Sequence, residues 1–135
     1  MLLEPGIAEA LTLAGREAAE SLMIDSCVVE RSVGEVTDPV TGVVSEGWET
    51  VYTGVCKVQG RQAQAASPVA GGHAFTVEQL MIHLPVSAQS RLDDRVTIVT
   101  ATMDPDLVGA TFRLTELARG TYRTADRWNV EAVTG

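Results

Sequence analysis

Few residues in this chain have the types and spacing that chemistry needs. Its only histidines are His73 and His83. On one extended strand, ten residues at about 3.3 Å each would hold them roughly 30 Å apart, too far to share a metal or a proton. The acidic run Asp104-Pro-Asp-Leu-Val-Gly109 begins like a calcium loop, but Val108 stands where a third oxygen ligand belongs and Thr115 where the bidentate Glu would be. It therefore reads as a turn. Asp93-Asp94 could add to an acidic site, yet Asp is also the ordinary residue of strand-ending turns. No Gly-x-Ser-x-Gly elbow, phosphate loop or Cys-x-x-Cys pair occurs. Cys27 and Cys56 sit inside apolar, β-rich runs, where a small buried thiol is the usual explanation and a cross-strand disulfide the alternative. With no nucleophile, base, metal set or cofactor motif in view, the chain reads as a non-enzyme.

The remaining chemistry lies in the basic residues. Nine arginines stand against one lysine, Lys57, in a chain of formal net charge −8. That balance argues against tight phosphate binding, because affinity for nucleic acid comes from cations displacing counterions. Arginine is instead enriched at protein interfaces, where its planar fork pairs with carboxylates and stacks on aromatic rings. Arg113, Arg119, Arg123 and Arg127 cluster around the last expected hairpin and are candidates for a subunit or partner contact. A second candidate is the stretch Gly60 to Gly72, which has Val69 as its single large aliphatic and cannot build a core. Long loops without structure of their own are usually functional or disordered. Gly60, Gly71 and Gly72 bracket it, Arg61 is its one charge, and Gln62, Gln64 and Ser67 offer small polar contacts. It reads as a movable gate or as a linker.

The elements that must position these residues are mostly strands. One amphipathic helix is predicted over residues 5 to 22, with Ile7, Leu11, Ala14, Ala18 and Leu22 as its apolar stripe and Gly15 as a weak point. It packs on its own domain or on a neighbour. A long hairpin follows, from Cys27–Arg31 across an Asp38 to Gly47 connection to a strand broken at Gly54. Phe75 to Leu84 changes its apolar phase near Glu78-Gln79, which suggests a bulge. Pro85 ends that strand or marks an edge. Further strands are centred on Val96 and Ile98, on Phe112 and Leu114, and on a closing hairpin of Thr121–Arg123 with Arg127–Val133. The fold class is all-β with one N-terminal helix: a small antiparallel β-barrel of six or seven strands with a long flexible loop. Residues 1–24 form a helical arm and 25–135 the barrel domain with loop 60–72. The expected core is Val29, Val51, Val58, Val77, Ile82, Val96, Ile98, Phe112, Leu114 and Val130. No apolar run is long enough for a membrane span, and the N-terminus lacks signal-peptide features, which suggests a cytoplasm-like compartment.

Taken in order, the β-run ending at Arg31, the Asp38-Pro-x-x-Gly42 turn, Trp48-x-x-Val51-Tyr52, Asp94-Arg95-Val96 and Trp128-Asn-Val-Glu131 resemble the head-to-tail joining proteins of long-tailed phages, especially the stopper-type connectors of actinobacterial phages. The resemblance spans about residues 17 to 133. It implies a structural virion protein of the neck, assembled in the host cytoplasm, whose small β-barrels form a homo-oligomeric ring, a dodecamer. That ring would lie below the portal or an adaptor protein and above the tail terminator or tail tube protein, close the filled head and touch genomic DNA transiently in its channel. Adaptor or tail-completion proteins of the same neck are alternatives. A small-ligand or peptide-binding β-barrel is a reading from another class, and an uncharacterised hydrolase a third.

Overall fold

The computed structural model describes residues 6–64 and 76–134. One strand runs through the whole architecture: β2 (Val44–Gln64), 21 residues long, or about 70 Å at the usual rise per residue. It pairs antiparallel with β1 (Asp25–Thr37) over its first half and with β3 (Thr76–Leu84) over its last. Three shorter strands complete the sheet, β4 (Arg95–Thr100), β5 (Thr111–Leu117) and β6 (Asp126–Ala132). Their order is β1-β2-β3-β6-β5-β4, and β4 returns to β1 to close a barrel. The expected antiparallel barrel is thus present, with six strands.

Period-two alternation explains the wall. Cys27 and Val29, Cys56, Ile82 and Leu84, Val96 and Ile98, Phe112 and Leu114, and Trp128 all point into a buried core. Fully burying each large aliphatic or Phe side chain is worth about 1.5–3 kcal/mol. Six of the expected core residues are buried, and Val51, Val58 and Val130 pack against them half-buried. The side chain of Val77 lies outside the described residues. Leu84, Ala88, Ala101, Trp128 and the two cysteines complete the buried cluster. Both thiols are free, and the Cys56 thiol is pushed up by its hydrogen bond with Cys27 and by burial.

Several expectations are corrected. β3 keeps an unbroken register from Thr76 to Leu84, so no bulge occurs near Glu78-Gln79. β2 is not broken at Gly54, which pairs with Cys27. The glycine is there for space: a Cβ would stand 2.6 Å from the Tyr52 hydroxyl, which donates to the Val55 carbonyl at 2.8 Å. The first turn closes within Asp38–Val43, because Asp38 Oδ1 accepts from the Val40 and Thr41 amides and Gly42 takes φ 72°. Thr121–Arg123 is not a strand. Leu117 already pairs with Trp128, and the Ala118 amide donates to the Arg127 carbonyl, which leaves those residues in the connection.

The helix α1 (Ile7–Ser21) forms inside the predicted span, with Pro5 outside the described residues. Its apolar stripe faces the wrong way for a core helix. Leu11 and Leu22 are 68% and 63% exposed, and no residue of α1 is buried. The barrel is met instead by the half-buried face of Thr12, Gly15, Arg16 and Ala19. Gly15 marks the closest approach, since a Cβ there would come 2.7 Å from Thr124 Cγ2, and Arg16 Nε donates to the Arg123 carbonyl at 3.2 Å. What reads as a helix-weakening residue is the packing contact.

Candidate functional site

The closed wall uses only part of the long strands. β4 pairs with β1 no further than Glu30, so Arg31–Thr37 and Val44–Glu49 leave the barrel together as a two-stranded arm. Register shifts at Val29/Glu30 and Ser32/Gly34, with Gly34 at φ 89°, mark the root of this arm, where such irregularities locally increase bend and twist. Its surface mixes acids such as Glu35 and Glu46 with an unusual number of valines: Val33, Val36, Val40, Val43 and Val44 are all exposed, Val40 at 90%. At the other end, β6 meets β3 only from Met81 onward, so the pairing of Gly60–Gln64 with Thr76–Leu80 forms a second arm. This shortens the expected loop. Gly60, Arg61, Gln62 and Gln64 belong to β2 and pair across to β3, whereas Ser67, Gly71 and Gly72 lie outside the described residues, as does His73.

The root of the first arm is fastened by residues that the sequence placed far apart. Arg31 grips Asp94 with Nε to Oδ1 and Nη2 to Oδ2, both at 2.9 Å, and Arg91 adds its amide at 2.8 Å. Asp94 is 1% exposed, and its hydrogen bonds hold the Arg31 guanidinium above its ordinary pKa. Beside it the Arg95 guanidinium lies 4.2 Å from the Trp48 ring centroid, a cation–π contact that ties β4 to the arm. The Trp128 indole N–H donates to Ser90 Oγ at 2.8 Å, and that hydroxyl donates to Asp126 Oδ2 at 3.2 Å. Arg31, Trp48, Asp94, Arg95 and Trp128 therefore act as fasteners of one barrel end.

The four candidate arginines do not form one patch. Arg113 on β5 is engaged by Asp93 at 2.6 Å and Glu131 at 2.7 Å, which raises its pKa, Glu131 first. Arg123 Nε lies 2.8 Å from Asp126 Oδ1, off line for a hydrogen bond but close enough to compensate a carboxylate that is 2% exposed. Arg119 is exposed in the β5–β6 connection with no partner among the described residues. Arg127 lies on β6 under α1, donating to Thr124 Oγ1 at 3.3 Å. The pattern of alternation gave their strands but not their partners.

Asp104 precedes and Asp106 lies within a 3-10 turn (Pro105–Leu107), and both carboxylates are exposed, as expected of a turn. Among the described residues no group of His, Cys, Asp and Glu could hold a metal ion, and no helix is long and apolar enough to cross a membrane. A family model, described as a family of unknown function, DUF6093, matches residues 15–131. The chain belongs to the DUF6093 family. No curated protein matches it. The matched span begins within α1 and ends within β6, so the helix packing, both arm roots and the Arg31–Asp94 clamp are all part of what the DUF6093 match covers.

Proposed function

We propose that this DUF6093 chain is a structural protein of a phage neck, whose copies form a ring below the portal that closes the filled head and joins it to the tail. The observation that carries this reading is the pair of hairpin arms leaving opposite ends of a barrel that is already closed without them. A barrel that needed only to fold would have no use for an arm with five exposed valines, which is an aggregation hazard unless another surface covers it. Arms at both ends suit a subunit held between one partner above and another below, and α1 adds a further exposed apolar face through Leu11, Leu13 and Leu22. The small-ligand reading is less favoured, because side chains from all six strands fill the barrel interior. A stopper role, rather than adaptor or tail completion, rests on the sequence resemblance.

The test is native mass spectrometry and negative-stain imaging of the chain alone and mixed with the portal of its phage. Rings that stack on the portal are expected. A Val40→Asp/Val43→Asp variant, altered only at exposed arm positions, should melt like the parent but fail to form them. Monomers that ignore the portal, or rings unaffected by the arm variant, would overturn the proposal. Arg119→Glu is a suitable charge reversal for the arginine contact. Arg123 is not, because reversing it would set an acid against buried Asp126.

A further inference from the structure

Beneath the C-terminal turn of α1, the outer wall of the barrel carries three nitrogen-bearing side chains in one row. Lys57 on β2 is the direct partner of His83 on β3, and His83 is the direct partner of Arg127 on β6. Directly opposed residues share a face, with Cβ atoms about 5 Å apart. Ile82, Leu84 and Trp128 beside them point into the core, so this row points outward. There α1 covers it: Leu22 and Met23, with Met81 of β3, help to enclose a hollow of about 340 Å³ above the row.

What the hollow lacks is an acid. Neither Lys57 nor Arg127 forms an ion pair among the described residues, in a chain whose 18 acidic residues outnumber its 10 basic ones. The single lysine of the sequence stands here. His83 is 9% exposed, lines the hollow and has no hydrogen-bond partner among the described residues. The His83 nitrogens are not among the fully buried unpartnered atoms, so the ring opens onto the hollow, and like charges set side by side on one face are unfavourable until an anion joins them. One acid, Asp25, shares a neighbouring hollow with Lys57 and does not pair with it. The row therefore offers two cations and an unused imidazole nitrogen around a space with an apolar roof.

We propose that this hollow is an oxyanion site that receives a carboxylate side chain from the protein docking against α1, with Lys57 and Arg127 as the charge partners and His83 as a hydrogen-bond donor. A protein carboxylate is favoured over a nucleic-acid phosphate on two grounds. The roof is apolar, made by Ala19, Leu22 and Met23 with Leu22 still exposed, and the net charge of −8 repels a polyanion. The idea rests on the assembly reading, since it supplies the chemistry of the partner at Arg127.

Its test uses the isolated chain, so that it can fail while ring formation stands and succeed while ring formation fails. Burial, then Arg127 and Lys57, lower the pKa of His83 to about 4. An anion bound between those cations must raise it. NMR of the His83 imidazole, titrated with acetate, with inorganic phosphate and with chloride at equal ionic strength, reads this directly. Acetate should shift the signal saturably and raise the His83 pKa by about a unit or more, against chloride as control. Lys57→Gln/Arg127→Gln should abolish the effect. Phosphate saturating at a tenth of the acetate concentration or less would overturn the carboxylate assignment in favour of a phosphate. Equal responses to acetate and chloride in the parent chain would overturn the site altogether, and decide the matter even if the double variant does not fold.

Discussion

Replacing Arg31 by Met tests whether the root of the first arm is held by the charge pair. Met keeps an apolar stem of similar reach while removing both donors, so Asp94 would keep the Arg91 amide as its remaining hydrogen-bond donor. Breaking a buried pair from one side costs about 3–5 kcal/mol, because an uncompensated charge is left behind. The Arg31 side chain is 27% exposed, so water can follow it in and the lower end, about 3 kcal/mol, applies. Asp94→Leu should cost less, since the abandoned guanidinium can turn to solvent whereas the abandoned carboxylate cannot. Urea denaturation measures both. With m about 1.5 kcal/mol/M for a domain of this size, Arg31→Met should lower the midpoint by about 2 M. In the double variant the buried charge is gone, so the two losses should fall short of additivity by at least about 1 kcal/mol. Additive losses, or a larger loss for Asp94→Leu than for Arg31→Met, would show that the pair does not fasten the arm.

Phe112→Ala empties a core position that is 4% exposed and should cost about 3–5 kcal/mol; an unchanged melting temperature would remove Phe112 from the core. Gly54→Ala should displace the Tyr52 ring and break its bond to the Val55 carbonyl, for about 1–2 kcal/mol. Tyr52→Ala in the same chain should abolish the penalty, and a penalty that persists would place the strain elsewhere. For His83 the folded pKa of about 4 lies below the ordinary 6.5, so the unfolded chain binds the extra proton first. Stability should hold above pH 6.5 and fall as the pH drops toward 4, by about 1–2 kcal/mol once the shift is discounted for the water that reaches the ring. His83→Gln should flatten that part of the denaturation profile, and an unaltered slope would assign it to other groups. Asp38 runs the other way. Its pKa is held below 3.8 by the Val40 and Thr41 amides, so the stability it lends the arm tip persists above that value and is lost as the pH falls through the lowered one. Protection of the Val40 and Thr41 amides, measured against their intrinsic exchange rates at each pH, should fall only in that acid range.

The barrel wall was legible because its signal is local. Val96 and Ile98, Phe112 and Leu114, and Leu80, Ile82 and Leu84 each alternate within a few residues, and alternation is all that a half-buried strand requires. Errors arose where one residue's reason lay in another part of the chain. Gly54 resembles a break until Tyr52 is seen folding over it, and Gly15 resembles a helix flaw until Thr124 is seen against it. Trp128 reads as a strand residue, but its burial depends on Ser90, 38 positions away in the chain, taking the indole proton. The helix stripe left two coverings open for a related reason: periodicity reports that an apolar face exists, not which surface covers it, and Leu11 and Leu22 stay exposed on this chain.

The candidate sites were least legible because strand length, not strand identity, makes the arms. Apolar alternation places β1 and β2 but cannot say that β4 stops pairing at Glu30, or that β6 reaches β3 only at Met81. Once those limits are known, exposed valines at Val33, Val40 and Val43 cease to be poor core residues and become the surface of a projecting hairpin. The arginines follow the same logic. Arg31, Arg113 and Arg123 are each held by a carboxylate from their own chain, which leaves Arg119 and Arg127 as the members of the group with capacity for another molecule. Arg127 shares its row with Lys57 and His83 and has an apolar helix face beside it. If a partner approaches α1, the energetic gain has to come from covering Leu11 and Leu22, and the cations beneath would then set which acidic residue it must carry, since charge complementarity gives register and specificity more than affinity.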